Sequence, residues 1–456
     1  MINTSSPPRL TIEQEMRLWR KVDMRIIPML TVMYLCSFLD RGNAKLQGLT
    51  SQLDLTGNRY NIALTLILSS LLLKQLRPSR WLPGITVAWG IIMTLMGIVK
   101  TYPQLVGIRI CLGIAEAGLF PGVVYYMTLW YPRHKLQYRV GLFYGGASAA
   151  GAFSGLIAYG ISFMSGAGGL LGWSWIFIIE GLLTIVVSII SFFVIIDSPD
   201  SATFLTPEER EYLKWIKKYD LSSVGEEEEF EMRQLTDLLC DWQVWLQLLI
   251  YISIVAPGIG ISLFLPFGYT TAISQLLTVP PYIVATSVLV VVAIWSDRIK
   301  LRSPFLLAGI LTCIIGFSIN ISDANAGVKY FGTFLCVTGS YATLPGSIAW
   351  LGNNLAGQYK RGLGMAFQIG IGNLSSVIVS NIYLQKDVPR YVIGHAVELM
   401  FLGMGLLTLP ILVFLYRREN AKHERMQQDI VEKAVVLSAD ELRRMGDRAP
   451  DFRYML

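Results

Sequence analysis

Arg109 and Glu116 stand seven residues apart inside one apolar stretch, Leu105–Leu129. Seven residues make two helical turns, so both side chains fall within about 20° of one face. An ionised group at that depth costs at least about 2.5–3.5 kcal/mol on insertion scales. That cost is tolerated where the group faces an aqueous cavity, a partner or a transported ion. A guanidinium there can bind an anion, and a carboxyl can exchange a proton. A structural ion pair that locks helices together is the other reading, and the two residues alone leave both open.

The elements that must position such a pair are membrane spans. Of 456 residues, 53% are hydrophobic and only 15% charged, with a mean hydropathy of +0.50. Soluble domains carry about 25% charged residues. The composition is that of an all-α integral membrane protein. Twelve candidate transmembrane helices lie at roughly 26–47, 60–76, 81–99, 105–129, 140–164, 173–196, 244–267, 276–295, 304–321, 330–350, 362–384 and 392–416. Most reach the 17–25 residues that cross about 30 Å of hydrocarbon. The second is short: the apolar part Tyr60–Leu73 rises only about 21 Å unless Lys74 snorkels and the helix runs on to Leu76.

Thirty of the 38 Lys and Arg fall on the side of the N-terminus, seven on the other, and Arg109 lies within a span. The positive-inside rule then places both termini in the cytosol. Met1–Arg25 is polar with five basic residues and reads as a cytosolic tail, not a cleaved signal. The expected organisation is an N-tail (1–25), a six-helix half (26–196), a cytosolic linker (197–243), a second half (244–416) and a cytosolic C-tail (417–456).

The halves look alike. Leu119-Phe120-Pro121-Gly122 is followed by Gln137-Tyr138-Arg139, and Leu344-Pro345-Gly346 by Gln358-Tyr359-Lys360-Arg361. Pro121 and Pro345 are 224 residues apart, Arg139 and Arg361 are 222 apart. Two similar halves in one orientation point to a parallel-repeat transporter. Five cysteines and three histidines show no metal spacing, no nucleophile–base set appears, and the basic residues sit between spans. No cofactor or metal is implied, and neither enzyme activity nor nucleic-acid binding is expected. The lipid bilayer is the partner expected at this point, with the chain working as a monomer.

Other polar residues have bland readings. Gln368, Asn373 and Asn381 in span 11 suit interhelical hydrogen bonds or substrate contact. Asn353 and Asn354 suit caps, Glu180 a structural partner, His395 packing, and Trp173, Trp175 and Trp242 interfacial anchors. The glycines of span 5, among them Gly141, Gly145 and Gly146, suit close helix packing.

Longer motifs carry a resemblance. Tyr34–Arg41 (YLCSFLDR), Arg109–Gly122 (RICLGIAEAGLFPG), Trp173–Gly181 (WSWIFIIEG), Thr278–Tyr282 (TVPPY), Ala349–Asn354 (AWLGNN) and Asp447–Leu456 (DRAPDFRYML) occur together. With them, the chain resembles the anion:cation symporter family of the major facilitator superfamily, and within it the fungal allantoate permease group. The resemblance implies proton-coupled import of a small organic anion (a monocarboxylate, a ureide or a vitamin acid) at a fungal plasma membrane. It implies substrate contacts at Arg41 and Arg109, and proton coupling at Asp40 and Glu116; Gln368 and Asn373 are added as candidate contacts. The pattern Asp297-Arg298-x-x-x-Arg302 matches a cytosolic gating brace, and the corresponding loop of the first half, Lys74–Arg80, lacks the Asp. Against the family the sequence is shortened after Arg41, between Leu66 and Leu71, and between Pro266 and Gly268. A drug or metabolite efflux antiporter, and a non-transporting sensor or inactive truncated paralogue, remain alternatives.

Overall fold

Residues Gly172–Val194 form a helix that buries Ser174, Glu180, Gly181, Thr184, Ser188 and Ser191 and turns Leu182, Leu183, Val186, Ile189, Ile190 and Phe193 outward. Thr184, Ser188 and Ser191 donate to carbonyls one turn back, so their hydroxyls are satisfied inside the helix. Polar-in and apolar-out is the inverse of a helix in water. It suits lipid, which costs a large apolar side chain nothing.

The computed structural model describes residues 10–39, 77–220, 232–263, 271–383, 391–432, 441–442 and 445–456. Their helices are α1 (Ile12–Leu39), α2 (Pro78–Met96), α3 (Tyr102–Ala117), α4 (Leu119–Trp130), α5 (Arg133–Ser162), α6 (Gly172–Val194), α7 (Pro207–Asp220), α8 (Met232–Leu239), α9 (Trp242–Leu263), α10 (Thr271–Ile299), α11 (Ser303–Ile321), α12 (Ala326–Asn354), α13 (Gln358–Asn373), α14 (Ser375–Ile382) and α15 (Val392–Glu432). No strand occurs among the described residues. Span 2, residues 40–47 of span 1 and all three shortened places lie outside them.

Six stretches are long and apolar enough to cross a membrane by themselves: α6, α9, α10, α11, α13 with α14, and α15. The remaining described spans depart for local reasons. Span 4 is divided at Gly118, because Pro121 has no N–H to donate to the preceding turn. Gly118 keeps near-helical angles (φ −85°, ψ −20°), so α3 runs almost straight into α4. α5 opens on the basic run Arg133–Lys135, and α12 is rich in Gly, Ser and Asn. α15 does not end near 416; it continues to Glu432.

Small residues set the closest approaches. A Cβ on Gly90 of α2 would lie 2.9 Å from the Gly181 carbonyl of α6, and one on Gly97 would lie 2.6 Å from the Ser174 carbonyl. In the second half, a Cβ on Gly339 of α12 would lie 2.6 Å from the Gly309 carbonyl, and one on Gly316 of α11 would lie 2.6 Å from the Gly332 carbonyl. Each helix repeats its contact after seven residues, two turns along the same face. The seam between α5 and α10 is looser: Gly141 faces the Ala293 methyl and Gly145 the Thr286 methyl, while Gly146 packs on Thr31 of α1. Trp173 is not an interfacial anchor. It is buried edge-to-face on Phe177, 6.1 Å between centroids.

Gly339→Val drives a branched side chain into the backbone of α11, an overpacking that costs about 1–3 kcal/mol. Thermal unfolding in detergent is expected to fall accordingly. Gly403→Val, with nothing within 4 Å of its added Cβ, is expected to leave the transition in place.

Candidate transport site

Arg109 lies in the middle of α3, half-buried, with its guanidinium carbon 5.8 Å above the Phe177 ring of α6. A cation over an aromatic face is stabilised by the ring quadrupole, the more so when dehydrated. Phe177 belongs to a buried cluster with Trp89, Met93, Leu105, Leu112 and Trp173, and Glu180 is buried one turn further along α6. Glu116 belongs to α3 by its backbone, but its side chain lies outside the described residues, as do Asp40 and Arg41. Of the four charges expected to form one site, the structure thus describes the surroundings of Arg109.

Two of the three span 11 candidates have protein partners. Gln368 is buried and donates to the Gln247 carbonyl of α9 at 3.2 Å, an interhelical bond. Asn381 donates to the Val377 carbonyl of its own helix. Asn373 ends α13 and is half-buried. His395 packs as expected, with Nδ1 3.3 Å from the Tyr383 hydroxyl and its ring 5.7 Å from Phe317.

Where the halves meet, aromatic rings close the gap. Tyr34 of α1 stacks on Phe120 of α4 and Phe143 of α5, at 5.2 and 4.5 Å between centroids. Tyr144 of α5 lies 5.8 Å from Tyr341 of α12, which meets Tyr282 of α10 edge-on at 5.3 Å. All but Phe120 are buried. Rings of this kind present apolar faces and, at the tyrosines, a polar edge.

At one end of the bundle Asp297, at the end of α10, accepts from the Tyr138 amide of α5 at 2.8 Å and pairs with Arg302 at 2.7 Å. Arg302 also donates to Ser296. Asp297 and Arg302 therefore tie the second half to the first, while Arg298 is exposed outside this network. The first-half loop lacks an Asp of its own and receives one from the end of span 6: Asp197 accepts from the Ser79 amide at the start of α2.

Each half carries an ion pair that joins the start of its first span to the start of its fifth, at neighbouring and not identical positions of the repeat: Arg139 aligns with Arg361, next to Lys360. Arg139 of α5 makes a two-pronged contact with Asp23 of α1, at 2.9 and 3.0 Å, beneath the Tyr131 ring. Next to it Lys135 pairs with Glu15; burial opposes ionisation of Glu15, but the lysine prevails and holds it below the usual carboxylate range. In the second half Lys360 of α13 sits between Asp241, just before α9, and Asp447, at 2.7 and 2.8 Å. Burial pushes both carboxyls up. At Asp241 the lysine outweighs it, whereas Asp447 ends above the usual range because Asp241 adds to burial.

The C-terminal segment does not hang free as a tail. Asn354 of α12 exchanges two hydrogen bonds with the Met455 backbone, at 2.7 and 3.0 Å, and Asn420 of α15 does the same with Tyr454, at 2.8 and 2.9 Å. Trp350 donates to the Met455 carbonyl, and the Arg302 amide to the Leu456 carbonyl. The Tyr454 ring stacks on Tyr416 at 4.9 Å. The segment straps α9, α12, α13 and α15 together at one end of the bundle.

Helix order, repeated ion pairs and a seam between two halves are the architecture of a secondary transporter. Residues 55–380 match the Major Facilitator Superfamily. The chain belongs to that superfamily. It is 31% identical to the high-affinity nicotinic acid transporter of Saccharomyces cerevisiae, over 97% of this chain and 85% of that protein. It is 32% identical to the MFS-type transporter cnsO of Penicillium expansum, over 96% and 90%. Its fold matches that of a bacterial homolog of the human lysosomal transporter Spinster, inward-facing and occupied, with a TM-score of 0.53 and 15% identity over 95% of this chain and 90% of that one. As a member of the superfamily the chain is a multi-pass membrane transporter with a twelve-helix fold, and not an enzyme.

Three features escaped the sequence reading. Asp197 gives no signal, because its partner is a backbone amide 118 residues away. The strap could be read only as a motif. Glu398 had the same signal as Arg109, a lone charge in an apolar span.

Lys360→Ala leaves two nearly buried carboxylates facing each other, which costs roughly 3–5 kcal/mol. A marked fall in the unfolding temperature is expected, recovered in part by adding Asp447→Asn. Equal stability of both variants and the wild type contradicts the clasp.

Proposed function

We propose that this transporter imports a small organic anion together with protons, by alternating access at a fungal plasma membrane. The observation that carries the reading is Arg109, a permanent cation held in mid-span over an aromatic ring. Hydrocarbon repels such a charge unless something at that depth uses it. The nicotinic acid named for the yeast relative, a carboxylic acid, supports an anionic cargo.

In this reading the N-terminal half (26–196) and the C-terminal half (244–416) rock about the α5–α10 seam, and the chain acts as a monomer with both termini cytosolic. Arg41 receives the substrate carboxylate through its forked donors, with Arg109, Gln368 and Asn373 as further contacts. Asp40 and Glu116 take up protons. Substrate arrival at Arg41 releases Asp40 from its neighbour, and the neutralised site then costs less to bury. Asp297 and Arg302, with Arg298 at the exposed rim, hold the cytosolic side shut. The aromatic rings along the seam suit a planar, partly apolar cargo.

The test is a panel of carboxylates, ureides and vitamin acids in proteoliposomes with an imposed pH gradient, acidic outside. Accumulation of an anion that collapses with the gradient is expected; uptake indifferent to it refutes the coupling. Arg41→Ala is expected to abolish uptake, and full uptake removes the carboxylate dock. Glu116→Gln is expected to retain counterflow exchange but lose gradient-driven accumulation. Intact accumulation removes Glu116 from the coupling.

A further inference from the structure

Glu398 lies seven residues into α15 and is 0% exposed. It is the only Asp, Glu, Lys or Arg in 392–416. Among the described residues neither carboxyl oxygen has a hydrogen-bond partner. Among the described residues, the elements packed against this part of α15 offer it no counter-charge. α9, α11 and α14 contain no Asp, Glu, Lys or Arg. The titratable groups near enough to act on Glu398 electrostatically are Cys313 of α11, Cys336 of α12 and Tyr383 after α14. On its own helix His395 lies one turn before it, and the single lysine of α12, Lys329, acts on His395.

Space has been kept for this group. Gly260 of α9 faces it so closely that an added Cβ would collide with Glu398 Oε1, and the same Cβ would lie 3.3 Å from Val379. Gly394 and Gly405, one and two turns away on the same buried stripe, likewise face Tyr383 and Ser253. A bare carboxylate in such a place costs several kcal/mol even after relaxation, whereas a neutral acid loses only hydrogen bonds. The surroundings thus favour the neutral acid over the ion, and the glycine leaves it room.

We propose that Glu398 is a proton-binding site of the C-terminal half, carried as the neutral acid in the conformation seen here. Its proton exchanges with water when α9 and α15 part during the cycle. The pocket is separate from Arg109 and from the α5–α10 seam, so each half holds a titratable carboxyl of its own. This deepens the coupled-import reading and rests on it for the flux arm of the test only.

Infrared difference spectroscopy of the full-length protein in nanodiscs reads the site directly. The carbonyl band of a protonated carboxylic acid at neutral pH is expected in the wild type, shifted by deuterium, lost in Glu398→Gln and restored in Glu398→Asp. A spectrum of Glu398→Gln identical to the wild type in that region means that Glu398 is ionised, and overturns the proposal. In the flux arm, Glu398→Gln, which mimics the neutral acid in size and charge, is expected to fold normally and to lose the pH dependence of uptake. An unchanged pH profile removes the site from the cycle. If wild-type uptake itself ignores the pH gradient, the coupled-import reading fails while the infrared band still decides whether Glu398 holds a proton.

Discussion

Hydrocarbon does not solvate charge, and that constraint arranges most of this molecule. Ions collect at the ends of helices, where Asp23 meets Arg139, Glu15 meets Lys135, Asp297 meets Arg302, and Lys360 is shared by Asp241 and Asp447. Partly buried pairs of this kind are sensitive to geometry, because a charge left alone there is expensive. Each pair therefore fixes where one helix base stands against another. The arrangement joins span 1 to span 5 and span 7 to span 11, so each of these helix pairs is fixed at its base.

The same constraint gives meaning to the few charges that are not at the edge. Arg109 is stabilised by an aromatic face, and Glu398 sits in a pocket with no cation among the described residues. One group cannot lose its charge under any physiological condition; the other can. The permanent charge stands on α3 and the titratable group on α15.

The sequence announced what depends on composition and period. Apolar runs located the described spans, the nearly constant offset between Pro121 and Pro345 and between Arg139 and Arg361 pointed to a repeat, and the Asp297–Arg302 motif pointed to the link that Asp297 makes with the Tyr138 amide. Contacts that depend on where distant segments meet were illegible. Asn354 read as a cap because nothing near it in sequence predicts a ladder with Met455. Trp173 read as an interfacial anchor because its position at a span end is the same whether it faces lipid or Phe177. The break at Gly118 follows from Pro121 and was available from the residues. The geometry around Asp40, Arg41 and the Glu116 carboxyl lies outside the described residues, so that part of the site rests on sequence.

The two kinds of glycine contact differ in stiffness. Within a half, paired backbone contacts two turns apart, roughly 10 Å along the axis, pin α2 to α6 and α11 to α12 at two points each. A helix held at two points can neither roll nor pivot on its neighbour without lifting off both. At the α5–α10 seam Gly141 and Gly145 meet only methyl groups, which offer no notch to climb out of. The α2–α6 and α11–α12 pairs are thereby stiff, and the α5–α10 seam is smooth. Displacement made at one end of such a pair reaches its other end undiminished.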